Sequence, residues 1–128
     1  MDTCGFLLAL KVTPADVQDR DGARMLLAIL ILAYGWIKLI WADSAYGGSL
    51  EDDVLRIPRH RKVKLEIVKR SDDVKGFKVL PKRWIVERTF GWLIQSRRLV
   101  RDYEAKISHS ESMIHISMIK RMLARIAR

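Results

Sequence analysis

The sequence predicts an α/β domain, and three stretches carry that prediction. Residues 25–37, MLLAILILAYGWI, form an almost wholly apolar segment that leads into a shorter apolar run, 39–42, ending at Asp43. Residues 63–68, VKLEIV, alternate in the manner of a half-buried strand. Residues 82–99, KRWIVERTFGWLIQSRRL, hold no proline and repeat their apolar residues at three- and four-residue steps, as a helix does. Open α/β sheets place their chemistry at the carboxyl ends of strands, so an acid ending an apolar strand draws notice to Asp43.

The elements follow in chain order. Asp2-Thr3-Cys4-Gly5 suits a type I turn, with Asp first and Gly fourth. Residues 6–12 read as a buried strand ended by Thr13-Pro14. Residues 14–22 are a polar connection in which Asp19 or Asp21 caps the next helix by accepting from its free N–H groups. Asp16, Asp19 and Asp21 read as capping and solvated-loop residues, because the connection lacks a strand end to hold metal ligands rigidly.

The segment 25–37 falls short of the roughly 20 apolar residues of a membrane span. It reads as a buried helix with Gly35 near its end. Residues 44–48 are a loop. Residues 49–61 read as a helix with Ser49 as N-cap and Asp52 at the capping-box position, broken near Pro58. After the strand at 63–68 come a charged turn, 69–75, and a short extended piece, 77–80. Pro81 can then open the long helix.

On that helix Val86, Phe90 and Leu93 make one apolar stripe. Glu87 lies about 100° from Val86, on a face shared with Arg83, Gly91 and Arg98. An acid among arginines fits two roles, an exposed ion pair of small energetic worth or a carboxylate facing DNA phosphates. A polar break at 102–104 precedes a last helix, 110–128, with Ile114, Met118, Met122 and Ile126 as its core stripe. Arg121, Arg125 and Arg128 line another of its faces.

Composition bounds the function. The 128 residues, 49% hydrophobic and 30% charged, suffice for a globular core and exclude a disordered chain. Twenty-four basic against 15 acidic residues give a net charge of +9, which points to a polyanionic partner. Cys4 is the single cysteine, so no internal disulfide forms, and with three histidines it shows no zinc-ligand spacing. The first residues, MDTCGFLLALKV, lack the basic start and small-residue cleavage site of a signal peptide.

The stretches KVTPADVQDRDGA, IWADSAYGG, LEIVKRSDD, GFKVLPKRWIVERTFGWL and RRLVRDYE closely resemble the C-terminal half of insertion-sequence transposases, in the group typified by insertion sequence five. This resemblance implies an RNase H-like fold, a mixed sheet with helices on both faces. It also implies an Asp-Asp-Glu triad holding two Mg²⁺ or Mn²⁺ ions, for which carboxylates are suitable hard oxygen ligands. Asp43, in the ADSAY arrangement, matches the second aspartate, and Glu87, in WIVERTF, matches the glutamate. Arg83, Arg88, Arg97 and Arg98 are the cations expected on DNA. Gly91 would leave the helix face open to a nucleic-acid backbone.

Asp2 completes a triad only on paper. In the family the first catalytic aspartate lies on the opening strand, well before a DTxG-type hairpin turn, and Asp2 matches the turn. The expectation is therefore a partial catalytic domain over 1–128, N-terminally truncated, with sheet and catalytic helix in 1–104 and a C-terminal helix in 105–128. The expected function is DNA cleavage and strand transfer at insertion-sequence ends, with little or no activity from this chain alone. The alternative is a non-catalytic DNA-binding remnant or inhibitor. Expected partners are element ends and target DNA, with a homo-oligomer or a full-length transposase as protein partner. The resemblance implies the cytoplasm of a bacterium, at the nucleoid, and no membrane.

Overall fold

A computed structural model of the chain describes residues 1–48, 50–57, 63–68 and 82–127. Its elements are α1 (Asp19–Ala33), β1 (Leu39–Asp43), α2 (Leu50–Leu55), β2 (Lys64–Val68), α3 (Arg83–Ile94) and α4 (Ile107–Ile126), with 3₁₀ turns at Ser44–Tyr46 and Arg97–Leu99. They fall into two compact units, one of Ala15–Lys78 and one of Met1–Pro14 with Val79–Arg128.

The first of these units is a helix–strand–helix–strand arrangement. β1 and β2 pair in parallel, with Ile40 opposite Leu65, Ala42 opposite Ile67 and Asp43 opposite Val68. Parallel strands need a crossover, and α2 supplies it. The strands' two faces differ. Leu65 is buried and Ile40, Ala42 and Ile67 are half-buried, whereas Leu39, Trp41, Lys64 and Glu66 are exposed. Leu27 and Ile31 of α1, with Ile37, Leu50, Val54 and Val63, complete the buried apolar set. Arg24 bridges α1 and α2 through Asp53 at 2.7 Å.

α1 departs from expectation at its start and in its burial. It begins at Asp19, inside the stretch read as a connection, and ends at Ala33. Gln18 holds the N-cap position and makes no side-chain cap bond. Asp19 and Asp21 therefore stand within the first turn, where their charge complements the helix dipole, and are not the cap. The helix is not buried all round, since Met25, Ile29 and Leu32 are exposed. α2 is shorter than the predicted 49–61 helix. Its expected N-cap, Ser49, and the break at Pro58 lie outside the described residues, as do 69–75, 77–80 and Pro81.

In the other unit the Asp2–Gly5 turn forms as expected. The Gly5 N–H donates to the Asp2 carbonyl at 3.1 Å, and Asp2 Oδ1 accepts from the Cys4 and Phe6 N–H groups at 2.8 and 2.9 Å. Residues 6–12 do not form the predicted strand. No described strand borders them, and the Val12 N–H donates to Glu111 Oε1 on α4 at 3.0 Å. α3 and α4 contact each other and the Arg97–Leu99 turn, and Ser96 and Ser117 hydroxyls bond at 2.6 Å.

The buried faces of both helices differ from the sequence pattern. α3 turns Ile85 and Thr89 inward, while Val86 is 40% and Phe90 57% exposed, so the Val86, Phe90, Leu93 stripe is not its core face. α4 begins at Ile107 and buries Ser110 and Met118. Ile114 is half-buried, and the predicted stripe then runs out into solvent, with Met122 exposed and Ile126 80% exposed. At about 100° per residue, each four-residue step of the stripe turns about 40° further round the helix, so its later members leave the buried face.

Two stability predictions follow from this packing. Leu50, 1% exposed, is a core residue whose truncation leaves a cavity, so Leu50→Ala is expected to cost about 2–5 kcal/mol in urea unfolding. The Glu111 carboxyl is held below the usual glutamate range, chiefly by the Val12 N–H and then by Lys11, 3.3 Å away. A lowered folded-state pKa stabilises fully above the unfolded value and is lost as pH falls through the folded one. Stability should therefore fall on acidification below about pH 4–5, and Glu111→Gln should flatten that part of the denaturation-versus-pH curve.

Candidate active site and nucleic-acid interface

Asp43 is the last residue of β1, and its position follows from the sequence. The run Leu39–Ala42 favours a strand, and a short carboxylate at its end favours the turn that comes next. Asp43 Oδ1 accepts from the Ser44 N–H and, at 3.0 Å, from the Ser44 hydroxyl. Those bonds start the 3₁₀ turn and fix the carboxylate's orientation while the side chain stays exposed. Tyr46 closes the turn, half-buried. Burial raises its phenol above the usual range, and the charges of Asp19 and Asp43 raise it further. The tyrosine at this strand end is thus neutral at physiological pH.

Glu87 stands on α3, in the unit that does not contain Asp43. It is paired with Arg83 one turn earlier, Nε to Oε1 at 3.2 Å, with the two side chains 50% and 66% exposed. Such a pair adds little stability, so the carboxylate is available to a stronger partner. The space that a Cβ would occupy at Gly91 is open, which leaves the next turn of this face clear.

The four arginines expected on DNA divide by environment. Arg97 and Arg98 lie on the 3₁₀ turn after α3 and line an open depression with Tyr103. Arg98 is steered by Glu104 at 2.8 Å, and Arg97 makes no ion pair among the described residues. Arg83 holds Glu87. Arg88 turns inward: its Nη2 donates to the Cys4 carbonyl at 2.7 Å, and its guanidinium lies 4.4 Å from the Trp84 ring and 4.9 Å from that of Trp92. Arg121 takes another position over Trp92, and Arg125 one over Phe6.

Thr89 and Ser44 were not singled out by sequence reasoning. Thr89 carries a usable signal, a β-branched hydroxyl in mid-helix that must satisfy its oxygen if buried. Ser44 carries none beyond its adjacency to Asp43. Asp2, the paper candidate for a third carboxylate, is occupied by the N-terminal turn, where one of its oxygens accepts two backbone N–H groups.

The sequence model of the family described as Transposase DDE domain matches residues 1–123 of this chain. The chain belongs to that transposase family. No curated protein and no solved structure matches it. Transposition is therefore its family's activity, DNA is the implied partner, and transposases of this family generally depend on divalent metal ions. Donor chemistry in this transposase domain fits such ions, since Asp43 and Glu87 are exposed carboxylates. The ligand count does not: among the described residues there is no group of three or more His, Cys, Asp or Glu side chains that could hold an ion. No helix among those residues is long and apolar enough to cross a membrane.

If Asp2 serves the turn, Asp2→Ala removes the acceptor for two N–H groups and should cost about 1–3 kcal/mol. It should leave Mn²⁺ binding, followed by electron paramagnetic resonance, at the parent level.

Proposed function

We propose that this chain is the C-terminal part of an RNase H-like catalytic domain from a transposase of the insertion-sequence-five group. In this reading Asp43 and Glu87 are two of its three catalytic carboxylates. The observation that carries the reading is Asp43, exposed at the carboxyl end of a parallel strand and oriented by its own turn. In the complete transposase, divalent ions would supply charge neutralisation at the reacting phosphate and an activated water or 3′-hydroxyl. The chain's own contributions are the two carboxylates as Mg²⁺ or Mn²⁺ ligands, the Ser44 donors that orient one of them, and Arg83, Arg97 and Arg98 as phosphate contacts. Arg88, expected on DNA, serves better as part of the fold, given its bond to the Cys4 carbonyl.

Two carboxylates hold such ions weakly, and Asp2 does not supply the third. The chain alone is therefore expected to show little or no strand cleavage or joining. The same facts favour a second reading, a DNA-binding remnant that occupies element ends or pairs with a full-length transposase. Partners in either reading are insertion-sequence ends and target DNA, at the nucleoid of a bacterium.

One experiment separates them. The full chain is titrated with its element's end DNA over a range of salt, then assayed for cleavage and strand transfer with Mn²⁺. Arg97→Ala and Arg98→Ala should each lower the salt slope of binding by about 0.9, as one phosphate contact does. Metal-dependent joining that vanishes in Asp43→Asn and Glu87→Gln supports catalysis by the chain. Binding without any joining supports the remnant, and loss of salt-dependent binding altogether rejects both.

A further inference from the structure

α3 presents two apolar faces to choose from. At about 100° per residue, Ile85, Thr89 and Trp92 cluster on one side, and Val86, Phe90, Leu93 and Ile94 cluster roughly 115° around the axis. By hydrophobicity the second face is the richer, and it is the one that pattern alone selects as core. The fold buries the first instead. Thr89 is 1% exposed, whereas Val86, Phe90 and Ile94 are all exposed.

The contacts that accompany this choice are polar and come from one place. Thr89 Oγ1 donates to the Gly5 carbonyl at 2.7 Å and lies 3.0 Å from the Ile85 carbonyl of its own helix. Arg88 Nη2 donates to the neighbouring Cys4 carbonyl. Gly5 is suited to the fit twice over. Its φ of +85° favours glycine, and a Cβ there would lie 2.8 Å from Thr89 Oγ1 and 3.3 Å from the Trp92 ring. Phe6 follows directly and rests on Trp92, ring centroids 5.8 Å apart. Two consecutive carbonyls of the Asp2–Gly5 turn thus receive two consecutive residues of α3.

We propose that the Asp2–Gly5 turn is the key that sets the rotation of α3 about its axis, with Thr89 and Arg88 as its receptor. Glu87 is two residues from Thr89, about 200° around the helix, so a helix keyed at Thr89 carries Glu87 on its outer side. Rotation onto the richer apolar face would bring Glu87 to the edge of the buried side. Thr89 and Arg88 are positioning residues in this sense, and the inference holds whether or not Glu87 acts on DNA.

The test reads rotation directly. The full chain is labelled with 4-fluorophenylalanine, and the Phe6 and Phe90 fluorine resonances are assigned with Phe6→Leu and Phe90→Leu. A soluble paramagnet then reports the exposure of each ring. In the parent, Phe90 should broaden strongly, as a 57% exposed residue does. Thr89→Val keeps the shape and removes the hydroxyl, and Arg88→Met removes the Cys4 bond while keeping an apolar stem near the tryptophans. In Thr89→Val the ratio of keyed to rotated helix should fall about tenfold, the shift expected from one lost buried hydrogen bond, which lowers the Phe90 broadening by up to about half. Phe6 should lose its Trp92 ring-current shift at the same time. Arg88→Met should show the same change in smaller degree, and Thr89→Ser should restore the parent pattern. Unchanged Phe90 broadening in a folded Thr89→Val chain overturns the proposal. So does a uniform move of both rings to unfolded positions, or loss of helical circular dichroism in both variants, since the contact would then hold the fold without selecting its rotation.

Discussion

A single buried hydroxyl organises the unit that contains α3. Thr89 is interior with its hydroxyl satisfied by the Gly5 carbonyl and the Ile85 carbonyl, and leaving that bond unmade at such depth would cost about 1–3 kcal/mol. Everything nearby is arranged around that contact. Gly5 has no side chain where one would collide, Asp2 ties the turn that presents the carbonyl, and Arg88 reaches the next carbonyl along while covering two tryptophans. Apolar burial supplies driving force here, as elsewhere, but it is non-directional. Direction comes from the hydrogen bonds.

This explains which parts of the molecule were legible in the sequence. β1 and Asp43 were, because an apolar run ended by an acid and followed by SAYGG has few alternative readings, and β2 alternates cleanly. The Asp2–Gly5 turn was also legible, since its side-chain chemistry is local. The buried face of α3 was not, because two apolar faces compete and the deciding partner lies more than eighty residues away. Residues 6–12 have the composition of a strand, but a strand is defined by a neighbour that composition cannot supply. The start of α1 was missed because an aspartate suits both an N-cap and a first turn. Asp43 and Glu87 are catalytic candidates on the strength of the resemblance; pattern alone left Glu87 open between an ion pair and a catalytic acid.

Net charge overstates the charge that faces a partner. Of the arginines on described elements, Arg24 is tied to Asp21 and Asp53, Arg83 to Glu87 and Arg98 to Glu104. Arg88, Arg121 and Arg125 lie over aromatic rings, where a guanidinium gains cation–π attraction and its stem covers apolar surface. A basic composition is in this case partly a packing device. The arginines around Trp92 do what larger aliphatic residues would do in a thicker core. Under the proposed function, phosphate contact would fall to the cations that are exposed or only loosely paired, Arg97 and Arg98 on the turn after α3 and Arg83.

Asp43 and Glu87 are built by different means. Asp43 is fixed by bonds within two residues of itself, so its orientation is set once β1 and its turn have formed. Glu87 has no such local restraint. Its loose pairing with Arg83 sets no direction, and its place depends on the rotation of a whole helix. Under the proposed function, in which each carboxylate is a metal ligand, angular error matters as much as distance, because hard-ion ligands need their lone pairs aimed. An aspartate on a strand end tolerates changes far away in the chain. A glutamate on a helix with two apolar faces does not, and the residues beside it in the WIVERTF stretch, Arg88 and Thr89, answer that weakness by binding the turn.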